Sequence, residues 1–171
     1  MVNVAPSTSA VASGTSPSKK SVGTDPSKLY LEPNTMFPAP EGPSTLDWNE
    51  TSHSGGDALL ELYHGSSRVV IVEYWYKKCA MCKVMQPLVQ RVVREFTGKI
   101  HFVEVEVFES KKVVQHAGLR SVPAFQVFYD GKMIDHFSGL HTVKAMRAIF
   151  SNALEMTAER LDNFSHAEVR S

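Results

Sequence analysis

The chain of 171 residues is predicted to form one α/β domain, in which a central mixed sheet of four to five strands carries helices on both faces. Three observations predict this class. A nearly uninterrupted β-branched run over residues 68–75 indicates a strand buried on both faces. Apolar residues at three- and four-residue spacing over 80–97 indicate a helix that follows it. An Asp-Gly pair at 130–131 between two strand-like runs indicates a β-hairpin.

The first 44 residues differ in composition from the rest of the chain. They hold seven of the nine prolines and many serines, so they bury too little apolar area to offset their chain entropy, and we predict a disordered extension. Its first two dozen residues lack acids and contain Lys19 and Lys20, which resembles a plastid transit peptide. The alternatives are a cytoplasmic disordered tail, or packing of Leu29–Pro40 on the domain. We place the domain at 45–162 and a C-terminal tail at 163–171.

The first half of the domain begins with a helix near residue 54, where Ser54 is the expected N-cap and Gly65 the end. The strand over 68–75 follows. The next helix, over 80–97, contains Pro87, which should kink it. An alternating run over 100–107 indicates a second strand.

The second half continues with a short helix over 110–116, which Gly118 ends. The hairpin strands cover 124–129 and 132–137. A final amphipathic helix is expected over 142–161, with Thr142 as its cap. A βαβ half followed by a ββα half gives a mixed sheet with helices on both faces.

The most informative motif is Cys79-Ala80-Met81-Cys82, which holds both cysteines of the chain. It lies between a strand and a helix, the context in which C-x-x-C indicates a redox dithiol. Two intervening residues put both thiols on one helical turn, close enough to form a disulfide. The helix N-terminus favours a thiolate on Cys79, which is therefore the predicted nucleophile, and Lys77 and Lys78 should lower its pKa further. Cys82 is the predicted resolving thiol.

These motifs resemble the thioredoxin family over roughly residues 45–160. The pattern rests on Cys79 and Cys82 and on the positions that fall on family residues, namely Val72-Glu73-Tyr74-Trp75, Lys83, Pro87, Val122-Pro123, Asp130-Gly131-Lys132 and Gly139. The resemblance implies the thioredoxin fold and a redox-active Cys79–Cys82 disulfide. It also implies a cis peptide bond before Pro123, at which Val122 presents its backbone to a substrate peptide.

The chain also departs from the family pattern. Lys78 stands where the family usually has Trp, and Ala80-Met81 replaces Gly-Pro. Glu73 stands in place of the buried Asp, Glu104 in place of a neighbouring Lys, and Phe108 in place of an acid that supports Trp75.

The resemblance implies that Glu73 accepts the proton of Cys82, because a buried carboxyl has a raised pKa that suits general base chemistry. If Glu104 faces Glu73, repulsion raises one of the two pKa values further. The alternative is that Glu104 points to solvent. Trp75 and Lys78 are expected beside the substrate.

The leading hypothesis is a protein-disulfide reductase that acts on protein substrates with disulfides, needs no bound cofactor and is restored by an upstream thioredoxin reductase. The alternative is a binding or assembly module with weak or no reductase activity, whose lysines select an acidic partner. Metal delivery is a third hypothesis, although we expect no metal site, because His136 and His141 flank a hairpin.

The 18 Lys and Arg balance the 18 Asp and Glu, so nucleic acid is not an expected partner. No apolar run approaches the roughly 18 residues of a membrane span. We expect a monomer, located in the chloroplast or alternatively in the cytoplasm.

Overall fold

The computed structural model describes residues 35–168. Residues 1–34 of the predicted extension, with the possible transit peptide, and the last three residues of the predicted tail lie outside the described residues. The described elements, in chain order, are β1 (Ser52–Ser54), α1 (Gly56–Gly65), β2 (Val69–Trp75), α2 (Ala80–Glu95), β3 (Ile100–Glu106), α3 (Lys111–Ala117), β4 (Ala124–Tyr129), β5 (Lys132–Ser138) and α4 (Val143–Glu168).

The strands form one five-stranded mixed sheet in the order β1-β3-β2-β4-β5. The first three strands run parallel, and β4 is antiparallel to both β2 and β5. One apolar cluster packs α1 and α3 against one face, and a second packs α2 and α4 against the other. The predicted α/β class, with four to five strands and helices on both faces, is therefore confirmed.

Strand β2 lies at the centre of the sheet and directs the chain into the C-x-x-C motif. Six of its seven residues are buried, as expected for a strand covered on both faces. Its side chains alternate between the two apolar clusters, with Ile71 on the α2 side and Val72 on the α1 side. Glu73, the next residue, therefore points toward α2 with a carboxyl in an otherwise apolar layer.

The hairpin and the helix ends follow their local sequence signals. Asp130 has φ 51° and Gly131 has φ 64°, the left-handed pair that a tight hairpin turn requires. Gly118 ends α3 in the same region, at φ 64°. The Thr142 hydroxyl accepts a hydrogen bond from the Ala145 amide at 3.1 Å, so it caps α4 as predicted. Helix α4 continues to Glu168, beyond the predicted end at 161.

The start of the domain differs from the sequence-based expectation. Ser54 is not the N-cap of α1, because it ends a three-residue strand, β1, that pairs with β3. Gly55 occupies the cap position at φ 94°, and no side chain caps the helix there. The polar sequence Ser-His-Ser carries no strand pattern, and it is extended because β3 offers a free edge.

A segment before residue 45 packs on the domain. Phe37 is buried at 1% exposure, edge-on to Tyr63 at 5.0 Å and to Phe128 at 5.6 Å. The Tyr63 hydroxyl accepts a hydrogen bond from the Met36 amide at 2.9 Å and donates one to the Gly131 carbonyl at 2.6 Å. The described part of Leu29–Pro40 therefore packs on the domain, which is the alternative left open by the sequence, and Phe37 belongs to the core beneath α1 and not to a disordered extension.

A pair of histidines joins β1 to β3. The Nε2 atom of His53 lies 2.9 Å from Nδ1 of His101, whose side chain is buried. One ring must donate and the other accept, so the contact needs a neutral acceptor nitrogen. Burial, and then the Arg68 cation and His53, lower the pKa of His101 to about 4. Burial also lowers the pKa of His53, and the Glu50 carbonyl and the negative charges of Glu50 and Asp47 oppose that effect.

This pair predicts a loss of stability in mild acid. In the unfolded chain His101 becomes protonated below its ordinary pKa of 6.5. In the folded chain it stays neutral until about pH 4. The His101 contribution to the free energy of unfolding should therefore fall by roughly 2 kcal/mol as the pH is lowered from about 7 to about 5. Glu73, whose pKa is raised to about 8, changes stability in the opposite direction over this interval, so the His101 part is measured by urea unfolding as the difference between wild type and His101→Gln at the two pH values. His136→Gln, on exposed β5, should follow wild type. An equal pH slope in wild type and His101→Gln contradicts the prediction.

Candidate active site

Cys79 and Cys82 lie at the N-terminus of α2 and form a disulfide, with their Cα atoms 5.3 Å apart. Cys79 is the N-cap of the helix, and its sulfur accepts a hydrogen bond from the Cys82 amide at 3.1 Å. In the reduced protein the same amide and the helix dipole would favour a thiolate on Cys79. Cys79 is partly exposed, whereas Cys82 is only 3% exposed, so Cys79 is the sulfur that a protein can reach.

The two lysines before Cys79 differ in their surroundings. Lys77 forms an ion pair with Glu109, and both side chains are exposed. Lys78 is exposed directly beside the motif. Because Glu109 offsets the charge of Lys77, Lys78 is the cation that most directly favours a Cys79 thiolate.

Two carboxyls lie behind the dithiol. Glu73 on β2 and Glu104 on β3 are direct partners in the parallel ladder, so their side chains share the face that α2 covers. Both line a cavity of about 130 Å³ together with Cys82. Burial, and then the negative charge of Glu104, raise the pKa of Glu73 to about 8. Of the two arrangements left open by the sequence, the structure has the one in which Glu104 faces Glu73.

A third carboxyl, on Glu106, holds the loop beside the site. It is 6% exposed and accepts backbone hydrogen bonds from Phe108 at 2.8 Å, Glu109 at 3.0 Å and Lys77 at 3.4 Å. These bonds fix the loops after β2 and β3 relative to each other. Sequence reasoning missed this role, because an acid inside an alternating strand gives no signal of a backbone partner.

Trp75 ends β2 beside the cavity, and its indole N–H is buried without a hydrogen-bond partner in the described part of the chain. The family's supporting acid is replaced by Phe108, which is 61% exposed and packs on Tyr76 with ring centres 4.8 Å apart. The unpartnered indole N–H agrees with the departure from the family pattern that the sequence shows at Phe108.

The loop before β4 closes the site on the other side of Cys79. The Val122–Pro123 peptide bond is cis, as the resemblance implied. The Val122 carbonyl oxygen lies 3.9 Å from the Cys79 sulfur, and the Pro123 carbonyl accepts a hydrogen bond from the Gly139 amide at 2.8 Å. The backbone of Val122 is therefore held next to the reactive sulfur.

Large apolar side chains are exposed on the segments around the dithiol. Met81 and Val84 on the first turns of α2 are 48% and 58% exposed, and Leu140 is 57% exposed. The residue after Leu140 donates its amide hydrogen to the Met85 sulfur at 3.3 Å, which places this loop against α2. Such a surface suits a polypeptide partner better than a small charged ligand.

Within residues 35–168, no group of three or more His, Cys, Asp or Glu side chains is arranged to hold a metal ion. His141 instead makes a contact of 3.1 Å with the Ser138 carbonyl, and His136 is exposed on β5. None of the helices in the described part of the chain is long and apolar enough to cross a membrane.

Comparison with known proteins gives a consistent result. The thioredoxin family model matches residues 57–152, more than half of the chain. NADPH-dependent thioredoxin reductase 3 of Arabidopsis thaliana is 35% identical over 102 residues, which are 60% of this chain and 19% of the reductase. Thioredoxin of Malassezia sympodialis is 31% identical over 86 residues, 50% of this chain and 82% of that protein.

Thioredoxin M4, chloroplastic, of Arabidopsis thaliana is 32% identical over 91 residues, which are 53% of this chain and 43% of that protein. The chain therefore spans about a fifth of the reductase and less than half of the chloroplastic thioredoxin, but most of the Malassezia thioredoxin.

Proposed function

Because the chain belongs to the thioredoxin family, we propose that it is a thiol–disulfide oxidoreductase that reduces disulfides in protein clients. One observation carries the proposal. A reachable Cys79 and a buried Cys82 form a disulfide at a helix N-terminus, so one sulfur is placed for attack and the other for release.

In the proposed reaction, the Cys79 thiolate attacks a client disulfide, forms a mixed disulfide and expels one client thiolate. The Cys82 thiol then loses its proton to Glu73, directly or through water in the shared cavity, and attacks the Cys79 sulfur. The second client thiolate leaves, and two electrons have passed to the client. The Cys79–Cys82 disulfide remains and must be reduced again.

The client segment would lie along the backbone of Val122 beside Pro123, as an added extended strand. Lys78 and Trp75 would flank it, and the exposed side chains of Met81 and Leu140 would contact its apolar residues. The distance of 3.9 Å from the Val122 carbonyl to the Cys79 sulfur supports this placement.

We propose that a reductase of thioredoxins supplies the electrons and that no bound cofactor is needed in this chain. A chloroplast location is our proposal for the compartment, with the cytoplasm as the alternative. The chloroplastic thioredoxins among the relatives support it, as does the acid-free first stretch of the sequence.

A binding or assembly module is the second candidate function. Its support is Lys78, an exposed cation where the family usually has Trp, which would favour docking of an acidic partner. The two functions differ in one respect that can be measured, which is whether clients become covalently bound to Cys79.

Capture with Cys82→Ser distinguishes the two functions. Without the resolving thiol, the mixed disulfide on Cys79 should persist, and clients should migrate with the protein on non-reducing gels and separate after reduction. The control is Cys79→Ser/Cys82→Ser, which keeps the docking surface but cannot form the bond. Equal capture by both variants, insensitive to reductant, would reject the oxidoreductase and support the binding module.

A further inference from the structure

The two carboxyls behind the dithiol are unequal in their surroundings. Glu73 is 2% exposed, deep between β2 and α2. Glu104 is partly exposed, and one of its carboxyl oxygens accepts a hydrogen bond from Nε2 of Gln90 on α2 at 3.3 Å. Adjacent strands lie about 4.8 Å apart, so two carboxylates facing the same layer from this ladder pair cannot both ionise without a large cost.

The asymmetry decides which carboxyl carries the charge. A carboxylate is stabilised by solvent and by donated hydrogen bonds, and Glu104 has both. Burial and the neighbouring charge of Glu104 hold the pKa of Glu73 at about 8. In the oxidised protein at neutral pH the pair therefore carries one negative charge on Glu104 and, in most molecules, one proton on Glu73, beside Cys82. The ionised minority of Glu73 is the form that accepts the Cys82 proton in the client reaction proposed above.

We propose that Glu104 is a positioning residue, whose charge keeps a proton on Glu73 so that Glu73 can protonate Cys82 when the disulfide is opened. This inference rests on the proposed function, in which the disulfide must be reduced after every turnover. Glu104 acts through Glu73 and does not itself touch the reacting sulfurs.

The disulfide is opened when a donor thiolate attacks the Cys79 sulfur. The Cys79–Cys82 bond breaks, and a donor–Cys79 disulfide forms. The electron pair of the broken bond goes to Cys82, and the Glu73 carboxyl transfers its proton to that sulfur and becomes a carboxylate. The cavity of about 130 Å³ that Glu73 and Cys82 line has room for water to relay the proton.

The other charged groups around the cavity do not change which of the two carboxyls is ionised. Lys77 lines it, but its ammonium is paired with Glu109. Lys83 on α2 also lines it and is exposed to solvent. From β4, the ladder partner of Glu73 is Phe125, which is uncharged. Glu104 is therefore the charge that acts on Glu73.

The direct test is an NMR titration of the Glu73 carboxyl carbon in the oxidised, full-length protein, the state in which Glu73 must hold its proton before the disulfide is opened. In Glu104→Gln, which keeps the size of the side chain and removes its charge, the midpoint should fall by about one pH unit. Asp135→Asn removes an exposed charge from β5 that does not line the cavity, and it should leave the midpoint unchanged. A Glu73 midpoint that is the same in wild type and Glu104→Gln would overturn the proposal.

A kinetic test measures the rate at which dithiothreitol reduces the Cys79–Cys82 disulfide across the pH range. The ratio of the Glu104→Gln rate to the wild-type rate should be near one in mild acid and should fall severalfold by about pH 8, where Glu73 is about half protonated in wild type and mostly ionised in the variant. A ratio that is constant with pH indicates a structural role and overturns the proposal. Neither test needs a client, so failure of the proposed function would be seen separately, as absent client reduction.

Discussion

Cys79→Ser is expected to abolish reduction of protein disulfides, with a loss of roughly 10³-fold or more, as when other covalent catalysts lose their nucleophile. A serine hydroxyl is not ionised near neutral pH, and only the thiolate attacks a disulfide. Cys82 cannot substitute for Cys79, since it is 3% exposed behind the first turn of α2. Reduction of insulin, driven by dithiothreitol and followed by turbidity, measures the effect.

The loss should be specific to the reactive sulfur. Ser121→Ala, which removes an exposed hydroxyl from the loop that carries Val122, serves as the matched control and should keep the wild-type rate. Thermal unfolding of reduced wild type and of Cys79→Ser should coincide, because the comparison then excludes the disulfide itself. Equal turnover by wild type and Cys79→Ser would refute the enzyme hypothesis and leave the binding module.

The elements with a strong local pattern were predictable from the sequence. The β-branched run over 68–75 predicts the central strand β2. The Asp130-Gly131 pair predicts the hairpin turn, because both residues tolerate the positive φ that the turn requires. The dithiol was predictable because its two cysteines are close in sequence. The family resemblance placed Glu104 beside Glu73 but left open whether it faces Glu73 or solvent, and the ladder pairing decides this.

The features that the sequence did not reveal depend on contacts between distant residues. Strand β1 forms because β3 has a free edge, and its own polar residues do not indicate a strand. The hydrogen bonds to Glu106 come from backbone amides of two different loops.

Phe37 is the clearest case, because an average over a proline-rich stretch hides one buried aromatic side chain. It fills the space between α1 and the hairpin, in contact with Tyr63 and Phe128. Side chains of α1 also contact the backbone of Phe37 and of the residues before and after it. The Met36 amide bonds to the Tyr63 hydroxyl, and the His64 ring makes contacts of 3.2 Å and 3.0 Å with the carbonyls of Phe37 and Pro38.

Phe37→Ala should therefore lower the free energy of unfolding by about 3–5 kcal/mol, the cost of deleting a fully buried phenylalanine ring and leaving a cavity. Urea unfolding of the reduced protein near neutral pH measures it. Phe108→Ala is the matched control, because it deletes the same ring from a side chain that is 61% exposed, and it should cost less than about 1 kcal/mol. Equal costs for the two variants would show that Phe37 is not part of the core.

The same contact limits where a leader can be removed. A chain shortened to begin at residue 35 keeps Phe37 and its contacts, whereas one that begins at residue 45 should be less stable than it by at least the cost of Phe37→Ala. If the first part of the sequence is a transit peptide, a stable mature protein then requires cleavage before Met36. Mass spectrometry of the processed protein tests this, and a mature N-terminus beyond Phe37 would contradict it.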